Sequence, residues 1–208
     1  MRVGLIVEGA TDGVVLEALL KSRCLQASVV VLHPKRDRTS GWSGIQKYLA
    51  QKGRDLERLK TYGRFCGLFI HADADIAGHQ CSQNAAQQWQ QAERRLLAWS
   101  HRDSWPLGVH SVIPVMCLET WICASQTACQ NRRPEMECFS CARVVRNMHD
   151  NAMRHAMEQK TTRLYREVFA PALAENWEQV VRLCPEGAGR FTEALTAMEQ
   201  TCGTEEEV

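Results

Sequence analysis

Apolar residues fall along this chain in two rhythms. Short, nearly unbroken runs rich in β-branched residues, at 2–7, 28–33, 65–71 and 109–115, predict four buried strands. Between them the apolar positions recur three and four residues apart, the spacing of one helix face. Val14, Val15, Ala18, Leu19 and Leu20 follow the first strand, and Ile45, Leu49, Leu56 and Leu59 predict a helix over 45–59. Ala85, Trp89, Ala92, Leu96 and Leu97 predict another over 84–99, and a further helix opens at 117–124. Gly9 and Pro34 end the first two strands, Thr11 and Asp12 are helix-start residues, and Gly41 and Gly44 mark a loop over 35–43 and its exit. Beyond 124 only helical patterns remain, at 137–157, 163–168, 176–183 and 190–198, and the acidic tail at 205–207 is expected to fray.

Strands that alternate with helices imply a mainly parallel sheet covered on both faces. The expected fold is therefore α/β, a four-stranded, mainly parallel sheet flanked by helices, with a helical C-terminal extension. Residues 1–126 form the α/β domain in this reading, and residues 127–208 a helical extension packed on it.

Composition narrows the picture a little. With 208 residues, 45% apolar and 24% charged, the chain can bury one sizeable core. A net charge of +1 gives no overall attraction to nucleic acid, so any such attraction must come from the distribution of charge. No apolar run approaches the roughly 20 residues that span a bilayer, and Glu8 follows the first apolar run too soon for a signal peptide. The expectation is a cytoplasmic protein without membrane contact, whose ten cysteines stay reduced.

The candidate chemistry lies at strand ends. Ligands of open parallel sheets bind beyond the carboxyl ends of the strands. Glu8 ends the first strand, and Asp73 and Asp75 end the third. On an extended segment residues two apart share a side, so both aspartates can face one point. Two unit charges 4 Å apart repel by about 4 kcal/mol at an effective dielectric of 20. Three clustered carboxylates therefore call for a cation or raised pKa values. Oxygen ligands without a thiolate or imidazole cluster favour Mg²⁺, with Mn²⁺ as a substitute, over Zn²⁺. A strand–turn–helix junction at Glu8–Asp12, with Thr11 as N-cap, and a solvated turn at Asp73–Asp75 are the plainer readings of each motif alone.

A strand ending in Glu8-Gly9-Ala10-Thr11-Asp12, followed by a strand ending in Asp73-Ala74-Asp75, resembles the TOPRIM domain shared by topoisomerases, bacterial primases, RNase M5 and RecR proteins and OLD-type nucleases. The resemblance covers about residues 1–125, and the OLD-type branch with its small stand-alone relatives is the most similar. It implies metal ligation by Glu8, Asp73 and Asp75, a second metal supported by Asp12, and Glu119 as a weaker candidate for the same cluster. Lys160, downstream of the acidic motifs, would stabilise charge developing on phosphate. The implied activity is Mg²⁺-dependent phosphodiester hydrolysis by one or two metals, in phage or plasmid defence and often beside a separate ATPase, since no Walker A loop occurs in this chain. The Ile76-Ala77-Gly78-His79 continuation departs from topoisomerases and RNase M5, and no second domain presents a strand-cleaving tyrosine. His71 and His79 are candidate proton shuttles, with strand-end and loop roles the plainer account.

Two basic stretches qualify as phosphate contacts. One holds Lys35, Arg36, Arg38, Lys47, Lys52, Arg54, Arg58, Lys60 and Arg64 against Asp37, Asp55 and Glu57; the other runs from Arg132 to Arg166 and includes Arg163. Lys35, Arg36, Arg38 and Arg163 are the chosen candidates. Cys138-Phe139-Ser140-Cys141 lacks a second ligand pair of recognisable spacing, so zinc is not expected. The rivals to a nuclease are a non-catalytic TOPRIM-like module that binds nucleic acid or a partner, and a hydrolase of small nucleotides.

Overall fold

The computed structural model describes residues 1–24, 26–34, 41–77, 84–126, 129, 137, 155, 159 and 161–203. Four parallel strands, β1 (Arg2–Ile6), β2 (Ser28–His33), β3 (Gly67–His71) and β4 (Val109–Val112), form one sheet in the order β2-β1-β3-β4. The chain moves from β1 outward to β2, then returns to place β3 on the other side of β1. Strand order thus reverses between β1 and β3, the switch point beyond whose carboxyl ends sheets of this kind form a crevice. The register there runs from Val3 opposite Gly67 to Ile6 opposite Ile70, which sets Glu8 and Ala72 each two residues beyond the last pair.

Side chains of a strand alternate between faces, and each face here has its own core. Val3, Leu5, Val7 and Phe69 pack with α1 (Ala10–Arg23), α5 (Leu118–Ala124) and the C-terminal helices. Ile6, Leu68 and Ile70 pack with α2 (Gly41–Lys52), α3 (Leu56–Gly63) and α4 (Ala85–Trp99). Helices therefore cover both faces of an all-parallel sheet, as its apolar strands require.

After α5 the described chain resumes in a short helix, α6 (Thr162–Leu164), a wider turn over Tyr165–Phe169, and helices α7 (Ala170–Glu175), α8 (Trp177–Leu183) and α9 (Arg190–Gly203). Tyr165, Phe169, Leu173, Trp177, Val180, Leu183 and Phe191 are buried in the same core as α1. Trp121 of α5 meets Trp177 and Phe191 at ring separations of 5.4 and 6.0 Å, so the helical extension and the α/β part share one apolar interior.

Four local expectations change. The helix expected over 45–59 begins at Gly41 and is broken at Gly53–Asp55. There the chain passes so close to the end of α4 that a Cβ on Gly53 would lie 2.4 Å from the Ser100 Cα. The Gly53 carbonyl accepts a hydrogen bond from Arg102 Nε at 2.7 Å. The N-cap of α1 is Gly9, not Thr11. The fourth strand stops at Val112, and the chain then turns through Met116, whose φ of +76° is costly for a side chain of this size. Finally, Cys66 and Cys202 are joined as a disulfide with a Cα separation of 5.6 Å, against the expectation of uniformly reduced thiols. Cys138 and Cys141 lie outside the described residues. No helix among the described residues is long and apolar enough to cross a membrane.

Candidate metal centre

Glu8, Asp12, Asp73, Asp75 and Glu119 come together around the crevice between β1 and β3. Glu8 leaves β1 and its carboxylate accepts the backbone N–H groups of Asp73 and Trp42. The first bond ties the end of β1 to the end of β3. The second places the carboxylate at the start of α2, where unpaired N–H groups and the helix dipole favour negative charge. Asp73 stands just past β3, and its Oδ1 accepts the N–H of Leu118 at 3.0 Å, the first residue of α5. Asp12 lies in the first turn of α1 and folds back over Gly9, where a Cβ would lie 3.0 Å from Asp12 Oδ2. Three helix starts thus border the acidic cluster and offset part of its repulsion.

The remaining repulsion is visible in the proton affinities. Burial, reinforced by the charges of Asp12 and Asp75, pushes the Glu8 carboxyl up to about 7 despite its two backbone donors. Asp73 is held well above the usual carboxylate range, first by burial and then by Asp12, Glu119, Glu8 and Asp75. Carboxylates thus dominate the charge around both groups.

Two further side chains line the cluster. His71 ends β3, is fully buried, and sets Nδ1 3.9 Å from Asp12 Oδ2 and Nε2 3.7 Å from Asp73 Oδ1. Both gaps exceed hydrogen-bond length, and neither ring nitrogen has a hydrogen-bond partner among the described residues. Burial lowers the His71 pKa against the pull of Asp12 and Glu119, which favours the neutral ring. Tyr165, fully buried in the helical extension, donates its hydroxyl to Glu119 Oε1 at 2.9 Å. Burial, then the charge and hydrogen bond of Glu119, then the charges of Asp12 and Asp73 raise its pKa. The extension therefore supplies one wall of the cluster.

One expectation about the aspartates is corrected. Asp75 does not continue an extended strand beside Asp73, because Ala74–Ala77 forms a 3₁₀ turn. At three residues per turn, residues two apart point in different directions. Asp75 is accordingly exposed while Asp73 is half-buried, although its charge still reaches Asp73 and Glu8.

The donor chemistry suits a hard cation: oxygen ligands dominate, and two of them are short of countercharge. The donor atoms are not gathered, however. Among the described residues no three His, Cys, Asp or Glu side chains already surround a point that could hold a metal ion. Holding one would require the side chains to turn inward.

Lys160, Lys35, Arg36, Arg38 and His79 lie outside the described residues. Arg163 is 82% exposed and pairs with Glu167 one helical turn on, Nε to Oε2 at 3.0 Å. The sequence reading missed the Trp42 N–H, the enclosure of His71 by two aspartates, and Tyr165. Only His71 carried a signal, an imidazole at the end of an apolar strand two residues before Asp73. Comparisons with protein families, with curated proteins and with solved structures find no match.

Proposed function

We propose that this protein binds Mg²⁺, or Mn²⁺ in its place, and hydrolyses phosphodiester bonds of nucleic acid. One observation carries the reading. Two adjacent central strands deliver Glu8 and Asp73 to one crevice, where burial and the charges of neighbouring carboxylates, Asp12 and Asp75 among them, hold both above the ordinary carboxylate range. A fold that keeps carboxylates together at that cost suits a site completed by a cation. The resemblance of Glu8–Asp12 and Asp73–Asp75 to TOPRIM motifs points the same way.

In this reading Glu8 and Asp73 hold the metal, with Asp12, Asp75 and Glu119 able to join by rotation. A bound divalent ion would supply an activated water and neutralise charge on the phosphate. The chain's own groups do the rest. The N–H groups of Asp73 and Trp42 fix the Glu8 carboxylate, Leu118 N–H fixes Asp73, and Tyr165 fixes Glu119. His71, fully buried, stands between Asp12 and Asp73.

Incubating the purified protein with plasmid DNA and with RNA, in Mg²⁺, Mn²⁺ or EDTA, tests the proposal. Cleavage in either metal and none in EDTA is expected, and its loss in Asp73→Asn separates it from a contaminant. That no donor group is preassembled among the described residues favours a second reading, a non-catalytic module that binds nucleic acid or a partner. Binding without cleavage in any metal would select it. A role in phage or plasmid defence beside a separate ATPase belongs to the proposal only through the TOPRIM resemblance.

A further inference from the structure

Away from the acidic cluster, α2 and α3 border an open groove of about 290 Å³ lined by Tyr48, Lys52, Asp55, Arg58, Leu59 and Tyr62. Its two aromatic walls differ. Tyr48 is fixed, half-buried, with its ring 4.9 Å from that of His33. Tyr62 is 79% exposed, far more than a tyrosine with a purely structural role requires. The Arg58 guanidinium sits over the Tyr62 ring, 5.9 Å from its centroid. Lys47, Lys52, Arg54 and Arg58 are all exposed on or between these helices and outnumber Asp55 and Glu57. The volume lies at the small end of ligand sites, on the scale of one flat ring system rather than a whole peptide.

We propose that this groove binds single-stranded nucleic acid, with a base against Tyr62 and the flanking phosphates on Lys52 and Arg58. Aromatic faces accept any base, and flexible cations track a backbone without reading sequence. A duplex hides its base faces, which is why the single strand is the occupant. The proposal rests on reading the chain as a nucleic-acid protein. The groove is separate from the acidic cluster, however: Trp42, in the first turn of α2, lies beside Glu8, and Lys52 stands ten residues further, about 15 Å along the helix.

The test is fluorescence anisotropy of labelled oligothymidylate and oligouridylate of about a dozen nucleotides, in EDTA so that no cleavage intervenes. The wild type should bind at least one of them, more tightly than an abasic oligomer with the same number of phosphates. Tyr62→Ala should weaken binding by roughly five- to a hundred-fold, and Tyr62→Phe should restore most of it. Arg58→Gln and Lys52→Gln should each lower the slope of log affinity against log salt by about 0.7. Equal binding of the normal and abasic oligomers, no effect of Tyr62→Ala in a folded protein, or no binding at all would overturn the proposal. So would salt-independent capture of an acidic protein through the same residues. Cleavage in Mg²⁺ is scored separately, so failure of the nuclease reading leaves a distinct signature: binding without hydrolysis.

Discussion

Replacing Glu8 with glutamine should stabilise the metal-free protein at alkaline pH and do little at acid pH. The carboxyl is raised from 4.5 to about 7, first by burial and then by Asp12 and Asp75. The folded chain therefore holds this proton more tightly than the unfolded chain does. The stability this contributes is present in full below 4.5 and is lost as pH rises through about 7. Ionising Glu8 in the folded protein costs at most about 3.5 kcal/mol more than in the unfolded chain, since each pKa unit is worth about 1.4 kcal/mol. Glu8 keeps some access to water, so an effect of about 1–3 kcal/mol is expected. Glutamine keeps an oxygen to accept the N–H groups of Asp73 and Trp42 while removing the charge. Urea unfolding of both proteins in EDTA at about pH 5 and about pH 8 measures the difference. Glu137, buried and likewise pushed up to about 7, is common to both proteins and cancels. The variant should gain stability relative to wild type by about 1–2 kcal/mol more at the higher pH. A variant destabilised equally at both pH values would refute the reasoning, because Glu8 would then be valued for its hydrogen bonds alone.

Other consequences are simpler to state. Asp73→Asn should abolish Mg²⁺-dependent cleavage while leaving the melting temperature in EDTA unchanged or higher, since the amide oxygen can still accept Leu118 N–H. Cleavage should rise with pH between about 6 and 8, as Glu8 loses the proton that competes with the metal; a rate that falls across this range would contradict the assignment. Tyr165→Phe removes a 2.9 Å donor from buried Glu119 and should cost about 1–3 kcal/mol in urea unfolding. Gly53→Ala would force a methyl within 2.4 Å of the Ser100 backbone and should cost about 1–3 kcal/mol by the same measurement.

The strands were legible because each is a compact apolar run: 28–33 matches β2, and β1, β3 and β4 differ from expectation only at their ends. Their parallel arrangement followed from the intervening helices. The acidic strand ends were equally visible, as a carboxylate after an apolar run stands out. Four features were hidden for physical reasons. Two glycines disguised the start of α2, so a helix N-terminus that serves Glu8 was read as a loop. The turn after Asp73 is a matter of backbone geometry that alternation does not reveal. The pairing of Tyr165 with Glu119 joins residues 46 positions apart, and nothing in either local pattern announces it. The Cys66–Cys202 disulfide, 136 residues apart, was hidden in the same way.

Cation binding at the β1–β3 crevice is the claim on which the enzymatic reading depends. Crystals soaked in Mn²⁺ and measured at an anomalous wavelength address it directly. An anomalous peak within bonding distance of Glu8 and Asp73, with Asp12, Asp75 or Glu119 turned toward it, is the predicted result. A crevice that stays free of Mn²⁺ at saturating concentration, with those side chains still apart, would contradict the account.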